Sequence, residues 1–486
     1  MGKHHKRQIS RRKFLGEASC AALGSTTFLS SVMNLGMINT AAARPHIIGN
    51  PNNYKAMVCI LLAGGADTFN VLVPTEASEY QDYVDTRSTL ALDINATPPE
   101  ILDLNYNDNG RTFGVHAAMP NTKTMFDNGD LSFLTNIGTL IEPIDDANDY
   151  YNGNKQIPLG LYSHSDQIMQ WQTSVPQSRS AVGVGGRMAD MIHSMNSIPE
   201  ISMNISLAGK NRFQAGNTIT EYSIDNSTTD QNIGFKRFPS WWSNSGFLNA
   251  TRDSAINSMV NQNYANIFQE TFGDIGNQTM DSNEIFKVAL ANVNPLSTVF
   301  SSSNLSQDLK KMAEIMSVRS HLGVQRQIFF ATFGGWDHHD NVLGNMNNML
   351  PVLDNALSEF NDAMTELGLQ DDVITFTISD FSRTLTSNGN GSDHAWGGNQ
   401  IIMGGPINGG QIFGDYPSMA LSNPLNVSNR GRFVPQISVD EFYAEIALWY
   451  GVSPNDLDYI LPNLCNFYSA NCPASPPANY MPIGMF

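Results

Sequence analysis

The feature that most restricts the fold of this chain is a set of short, uninterrupted apolar runs that stop at glycine or aspartate. Ala56-Met57-Val58-Cys59-Ile60-Leu61-Leu62 runs into Ala63-Gly64-Gly65, and Leu131–Ile137, Gln327–Thr332, Val373–Ile378 and Ile401–Met403 have the same character. A strand that is apolar on both faces must be covered on both sides, the condition of a parallel sheet held between helices. Between the third and fourth runs, Met346, Leu350, Leu353, Leu357, Phe360, Met364 and Leu367 recur at three- and four-residue spacing and stop at Gly368. That spacing predicts an amphipathic helix with a glycine stop. Strand, helix and strand in this order imply a right-handed crossover, and hence an α/β fold with a mostly parallel central sheet. Residues 217–305 are rich in Asn, Ser and Thr with scattered helical pattern, and read as a helical insertion or cap.

The N-terminus stands apart. Ser10-Arg11-Arg12-Lys13-Phe14-Leu15 opens a weakly apolar stretch that ends in Ala41-Ala42-Ala43-Arg44-Pro45. A basic segment, a moderate apolar segment and small residues before the cleavage point are the layout of a signal peptide, and the arginine pair marks the twin-arginine route. Residues 1–43 are therefore expected to be removed near Ala43, leaving a periplasmic or secreted protein. Glu17 and Asn34 interrupt the stretch, which suits a permanent membrane span poorly. No later run is long enough for one, so no stable membrane span is expected.

Charge and cysteine content exclude further classes. Of the 486 residues, 27 are Lys or Arg and 45 Asp or Glu. Removing residues 1–43 takes six basic side chains and one acid, leaving 21 against 44 and a net charge of −23. Such a chain is no nucleic-acid binder, because it cannot neutralise phosphates. Four cysteines, none in a C-x-x-C pair, exclude a zinc ribbon, so any metal must be held by Asp and His. In an oxidising compartment Cys465 and Cys472 could close a small C-terminal loop, whereas Cys59, inside an apolar run, reads as a buried thiol.

In an open α/β sheet ligands bind beyond the carboxyl ends of the strands, and the chemically capable residues fall there. The first run leads into Gly64-Gly65-Ala66-Asp67, where Asp67 either serves a site or caps the following helix. The third leads into Gly334-Gly335-Trp336-Asp337-His338-His339-Asp340, in which Asp337 and His339 alternate and can face one ion. The fourth ends at Ser379-Asp380-Phe381-Ser382-Arg383-Thr384, followed by Ser392-Asp393-His394-Ala395-Trp396-Gly397-Gly398. Together these point to a metal or anion site whose donors suit Zn, Mn, Ca or Mg. Ser163-His164-Ser165-Asp166-Gln167 precedes an expected helix, where free backbone N–H groups favour an anion or a developing alkoxide. Ser163 is accordingly a nucleophile, a metal ligand or simply a cap. No G-x-S-x-G elbow, Walker loop or G-x-G-x-x-G follows any of these strands.

This ordered set of motifs, with Phe113-Gly114-Val115-His116, Gly185-Gly186-Arg187, Met403-Gly404-Gly405 and Tyr450-Gly451-Val452, resembles the exported bacterial proteins grouped as the domain of unknown function 1501 family. The resemblance spans about residues 50–465, with 466–486 left as a tail. It implies a three-layer, alkaline-phosphatase-like sandwich related to phosphatases and sulfatases, with one or two divalent ions and a small anionic ester as substrate. By that analogy Asp67 and Asp380 share one ion with the Ser163 hydroxyl, and Asp337, His339 and His394 hold the other. Ser163, His164 and Arg383 would then be catalytic, with Arg383 or Arg187 on an ester oxygen or in a structural ion pair. The superfamily pattern has His directly after the fourth-strand Asp. Here Phe381 stands there, so an expected ligand must come from His164 or Asp393. The implied activity is metal-dependent hydrolysis of phosphate or sulfate esters. The competing reading is a non-catalytic exported protein that binds a ligand or assembles with another exported protein.

Overall fold

In the computed structural model, residues 54–198, 201–224, 226, 238, 241–405, 407–467 and 481–486 are described. Residues 1–43, expected to be a signal peptide, and Cys472 lie outside them; Cys465 is disulfide-bonded, and Cys59 is a buried free thiol. Twelve strands are present: β1 (Lys55–Ala63), β2 (Leu72–Pro74), β3 (Ile101–Asp103), β4 (Phe113–His116), β5 (Leu131–Gly138), β6 (Asn204–Ser206), β7 (Tyr222–Ser223), β8 (Arg326–Gly334), β9 (Val373–Ser379), β10 (Gly398–Gly404), β11 (Ile412–Phe413) and β12 (Ile437–Ser438). The longer helices that matter here are α1 (Ala77–Arg87), α2 (Pro120–Asn128), α3 (His164–Thr173), α4 (Val184–Ile192), α5 (Ser245–Val260), α6 (Ile267–Leu290), α7 (Asn304–Ser317), α8 (Val342–Glu366) and α9 (Val439–Tyr450).

Nine strands form the main sheet, in the order β11-β5-β10-β9-β1-β8-β6-β7 with β12 also on β5. Strand β1 lies between β8 and β9 and is parallel to both, as the β8–α8–β9 crossover requires. Only β10 runs against its neighbours β5 and β9. The five apolar runs are thus the five longest strands.

Alternation along β1 divides the core into two layers. Ala56, Val58, Ile60 and Leu62 pack with α2, α7 and α8 on one face; Met57, Cys59 and Leu61 pack with α3, α4 and α9 on the other. This is a three-layer α/β sandwich with a mostly parallel central sheet. Helix α8 ends with Gly368 in the left-handed region (φ +62°), the stop that the sequence predicts. A small antiparallel sheet, β2-β4-β3, is an addition the sequence does not announce.

The chain divides into two compact units, one holding Gly234–Ser282 and the other holding the sheet, His46–Ile233 with Asn283–Phe486. In the first, the side chain of Asn249 on helix α5 accepts from the Phe238 N–H and donates to its carbonyl. Helices α5 and α6 fall within the stretch 217–305 expected to be helical. Among the described residues no helix is long and apolar enough to cross a membrane.

Candidate metal centre at the strand ends

Parallel pairing brings three strand ends to one place. The register sets Ala63 against Gly334 and Leu62 against Ser379, so the turns after β8 and β9 flank Gly64. Gly64 has φ +121°, and a Cβ there would stand 2.5 Å from the Asp337 nitrogen and 2.8 Å from that of Trp336. Glycine is therefore required both for the turn and for the close approach. Its N–H donates to Asp380 Oδ1 at 2.9 Å.

Three imidazoles converge beside Asp337, each with its Nδ1 already engaged. His164, at the start of α3, donates from Nδ1 to Asp380 Oδ2 (2.7 Å). His394 donates from Nδ1 to the Tyr162 carbonyl (2.7 Å), and His339 from Nδ1 to Asp393 Oδ1 (3.1 Å). Carboxylates and carbonyls only accept, so all three protons lie on Nδ1 and every Nε2 of a neutral ring presents a lone pair. Those lone pairs meet: His339 Nε2 is 2.9 Å from His394 Nε2. Asp337 Oδ1 is 3.1 Å from His339 Nε2 and 3.4 Å from His394 Nε2, and Asp337 Oδ2 is 3.5 Å from His164 Nε2. Two neutral acceptors facing each other at such a distance repel unless a proton or a metal cation lies between them. Ligands of a tetrahedral ion with bonds of about 2.0–2.1 Å stand about 3.3–3.4 Å apart, close to the spacings observed. Oriented histidines backed by carboxylate or carbonyl are the arrangement that fixes metal ligands. Among the described residues, His164, Asp337 and His394 form a group whose ligand atoms all lie within 4.8 Å of one another.

Several surroundings hold this geometry. Tyr162 takes a left-handed backbone (φ +69°), costly for an aromatic residue. Its N–H donates to Gln167 Oε1 (2.6 Å), and Arg432 lies over its ring at 4.4 Å, which leaves its carbonyl aimed at His394. Phe381 packs against the rings of His164 and His394, with centroids 4.8 and 4.4 Å away. The aromatic ring after Asp380 thus buttresses two of the clustered histidines and offers no donor of its own.

Charge is balanced locally. Burial alone would raise the Asp337 carboxyl, but the Arg383 hydrogen bond and charge, helped by His339 and His164, hold it below the ordinary value. For Asp393 the same opposition, with Arg430 and Asn388 prevailing over burial, brings it down to about 2. His394 is lowered by burial first, then by His164 and Arg383, against the Tyr162 carbonyl and Asp337. A neutral imidazole is the form that ligates.

The structure brings Asp337, His339, His394 and Asp380 together, the last as the carboxylate behind His164. Asp67 sits elsewhere: fully buried, it pairs with Arg87, and it makes no side-chain cap to the helix that follows it. Ser163 lies at the N-cap of α3 without a side-chain cap bond, its Oγ 3.2 Å from Ser165 Oγ. Arg383 is buried and donates to the carbonyls of Gly65 (2.8 Å), Gly64 (2.7 Å), Ser392 (3.2 Å) and Trp336 (3.2 Å) and to Asp337. It is a clamp joining three turns and has no exposed face for a substrate. Arg187 is similarly spent on the carbonyls of Ile460, Val182 and Thr173. Sequence reasoning missed Tyr162 and Arg430, since neither a backbone angle nor a partner far along the chain has a local signature.

These features define an α/β sandwich with a His/Asp cluster at the carboxyl ends of its parallel strands, able to hold a metal ion. Residues 292–457 match the family model described as protein of unknown function (DUF1501), a span that includes Asp337, His339, Asp380, Arg383 and His394. No protein with curated function matches the chain. Among solved structures it is similar to Ps i-CgsB, at 11% identity over 85% of this chain and 77% of that one (TM-score 0.30). It is similar to the lipoteichoic acid synthase LtaP from Listeria monocytogenes, at 10% identity over 80% and 77% (TM-score 0.29). A mutant of the alkaline phosphatase PafA is 12% identical over 69% and 64% (TM-score 0.24).

Proposed function

We propose that the mature protein is an exported, metal-dependent hydrolase of phosphate or sulfate esters, using one divalent ion. The observation that carries this reading is the set of three Nε2 lone pairs gathered around Asp337, each imidazole fixed through Nδ1. Three nitrogens and one carboxylate favour Zn or another imidazole-seeking ion over Ca or Mg. When bound, such an ion polarises an ester oxygen and lowers the pKa of a hydroxyl or water beside it. His164, His394 and Asp337, whose ligand atoms all lie within 4.8 Å of one another, would be its ligands, with His339, beside His394 and Asp337 but outside that group, as the candidate fourth. His164 is then a ligand and not an acid–base group, because both of its nitrogens are committed. Ser163, adjacent to His164 at a helix N-terminus, is the hydroxyl that would attack phosphorus or sulfur in line, losing its proton to solvent as the ester oxygen leaves and takes a proton from water; a second water would then hydrolyse the serine ester. Arg383 acts through Asp337, as a positioning residue.

A single ion is favoured over two because Asp67, the carboxylate a second ion would need, is already neutralised by Arg87. That economy also supports the second reading, a non-catalytic exported protein that keeps the metal centre to bind a ligand or another exported protein. Metal analysis of the purified mature protein, with turnover of a panel of phosphate and sulfate esters, separates the readings. One equivalent of Zn or a similar ion, lost in His394→Ala together with turnover, is expected. Stoichiometric metal with no turnover would leave only the second reading, and no metal at all would remove both.

A further inference from the structure

A cavity of about 450 Å³ opens along α3, the helix that His164 begins, lined by that helix, the ends of β1 and β8 and the loop after β6. Its floor is apolar, from Leu61, Ile168, Met169 and Phe330, while its wall carries Lys210, Arg212 and Arg179. Ser165 and Asp166 line it as well, so it begins on the same helical turn as His164, one residue along the helix or about 1.5 Å of rise.

The loop that carries two of these cations is built to present them. Ser206 Oγ accepts from the Ala208 N–H (3.2 Å) and from Asn211 Nδ2 (3.2 Å), and donates to the Gly209 carbonyl (2.5 Å). Asn211 Nδ2 also donates to Gln214 Oε1 (2.9 Å), and Asn211 Oδ1 accepts from the Gln214 N–H (2.9 Å). From α3, the buried Gln172 Oε1 receives the N–H groups of Arg212 (2.8 Å) and Phe213 (3.0 Å). With Asn211 turned into the loop, Lys210 and Arg212 on either side are both exposed. Neither makes an ion pair among the described residues, whereas Arg179 is held by Asp166 (2.9 Å). A mature chain of charge −23 has acids in surplus to pair its cations. Two unpaired cations on a braced loop, facing one cavity, are placed to receive an anion.

We propose that this cavity is a recognition site for a second acidic group of the substrate, a sulfate, phosphate or carboxylate on an ester whose scissile anion sits at the histidine centre. This rests on the hydrolase reading and narrows its substrate class to doubly anionic esters. The apolar floor takes the body that joins the two groups, Arg212 offers a planar pair of donors, and Lys210 adds a mobile point charge. In so acidic a protein the local cations also offset the repulsion that a dianion otherwise meets on approach.

Calorimetric titration tests this without turnover. The probes are glucose bisphosphate against glucose monophosphate, and a disulfated against a monosulfated disaccharide, on wild type and on the double variant Lys210→Ala/Arg212→Ala. Wild type is expected to prefer a doubly anionic probe by about tenfold or more, and the double variant to lose that preference. The arm in which the preference appears tells sulfate from phosphate. Equal affinity of wild type for both members of each pair, or a preference that survives in the double variant, overturns the proposal. Circular dichroism of the variant checks folding, which two exposed side chains should leave intact. Failure of the hydrolase reading shows separately, as absent metal or turnover with the binding preference still in place.

Discussion

Asp380→Asn isolates the logic of the centre in one atom. The buried carboxylate accepts twice, from the Gly64 N–H on Oδ1 (2.9 Å) and from His164 Nδ1 on Oδ2 (2.7 Å). Asparagine has the same size but one acceptor, so one of the two donors must lose its partner. If the amide oxygen stays with Gly64, the amide nitrogen faces His164 and drives its proton to Nε2, removing a lone pair from the group around Asp337. Loss of such an outer partner weakens metal binding by about 10- to 100-fold. If the amide flips to keep His164, the Gly64 N–H is left buried and unpaired at a cost of about 1–3 kcal/mol. Equilibration against a chelator of known zinc affinity, read by elemental analysis, measures the first outcome; urea unfolding of the metal-free protein measures the second. One of the two must appear. A variant with wild-type zinc affinity and wild-type stability would refute the assignment of Asp380 as the group that fixes the tautomer of His164.

Three further outcomes follow from single contacts. Arg383→Met should cost about 3 kcal/mol in urea unfolding, the low end for a buried pair because Asp337 is half exposed, and Arg383→Lys should not rescue it, since an ammonium cannot span the same carbonyls. Gly64→Ala should destabilise by at least about 1–3 kcal/mol from the backbone angle alone, with zinc binding lost as the Asp337 turn is pushed away, which elemental analysis would detect. Glu366, held to about 2 by the backbone N–H of Ser297 and by the hydroxyl and N–H of Thr298, has a folded pKa below its unfolded value. Its contribution to stability is therefore complete above about pH 4.5 and fades as the pH falls toward about 2; unfolding curves across that range should be flatter for Glu366→Gln.

How much could be read in advance follows from how local each cause is. The five long strands were legible because burial on both faces leaves an unbroken apolar run, and α8 because its face repeats at helical spacing until Gly368. The two- to four-residue strands β2–β4, β6, β7, β11 and β12 were not. Segments that short have no period of their own and are strands only because a neighbour supplies hydrogen bonds. At the site, Asp337, His339, Asp380 and His394 were legible because strand ends are where ligands bind and glycines mark the turns. The placement of Asp67 was not, because its partner Arg87 comes from another element, at the end of α1. Position after a strand told where Asp67 is; only the tertiary pairing tells what it does.

The pairing of these acids explains why the centre is built mainly of nitrogen. Each carboxylate gathered near the strand ends has its own cation or donor: Asp67 has Arg87, Asp337 has Arg383, Asp393 has Arg430, and Asp380 has His164 and the Gly64 N–H. A second ion would have to compete with a buried guanidinium for Asp67, and displacing one strands a buried charge at a cost of several kcal/mol. What remains uncommitted is three Nε2 lone pairs and part of one carboxylate. With Arg383 offsetting Asp337 and Arg430 offsetting Asp393, Asp380 is the carboxylate there without a cation of its own, so a bound dication would still keep a net positive charge for whatever approaches. An anionic ester is the ligand that the proposed metal-bound centre would attract most strongly, and in a chain of charge −18 that local excess would be what lets an anion approach.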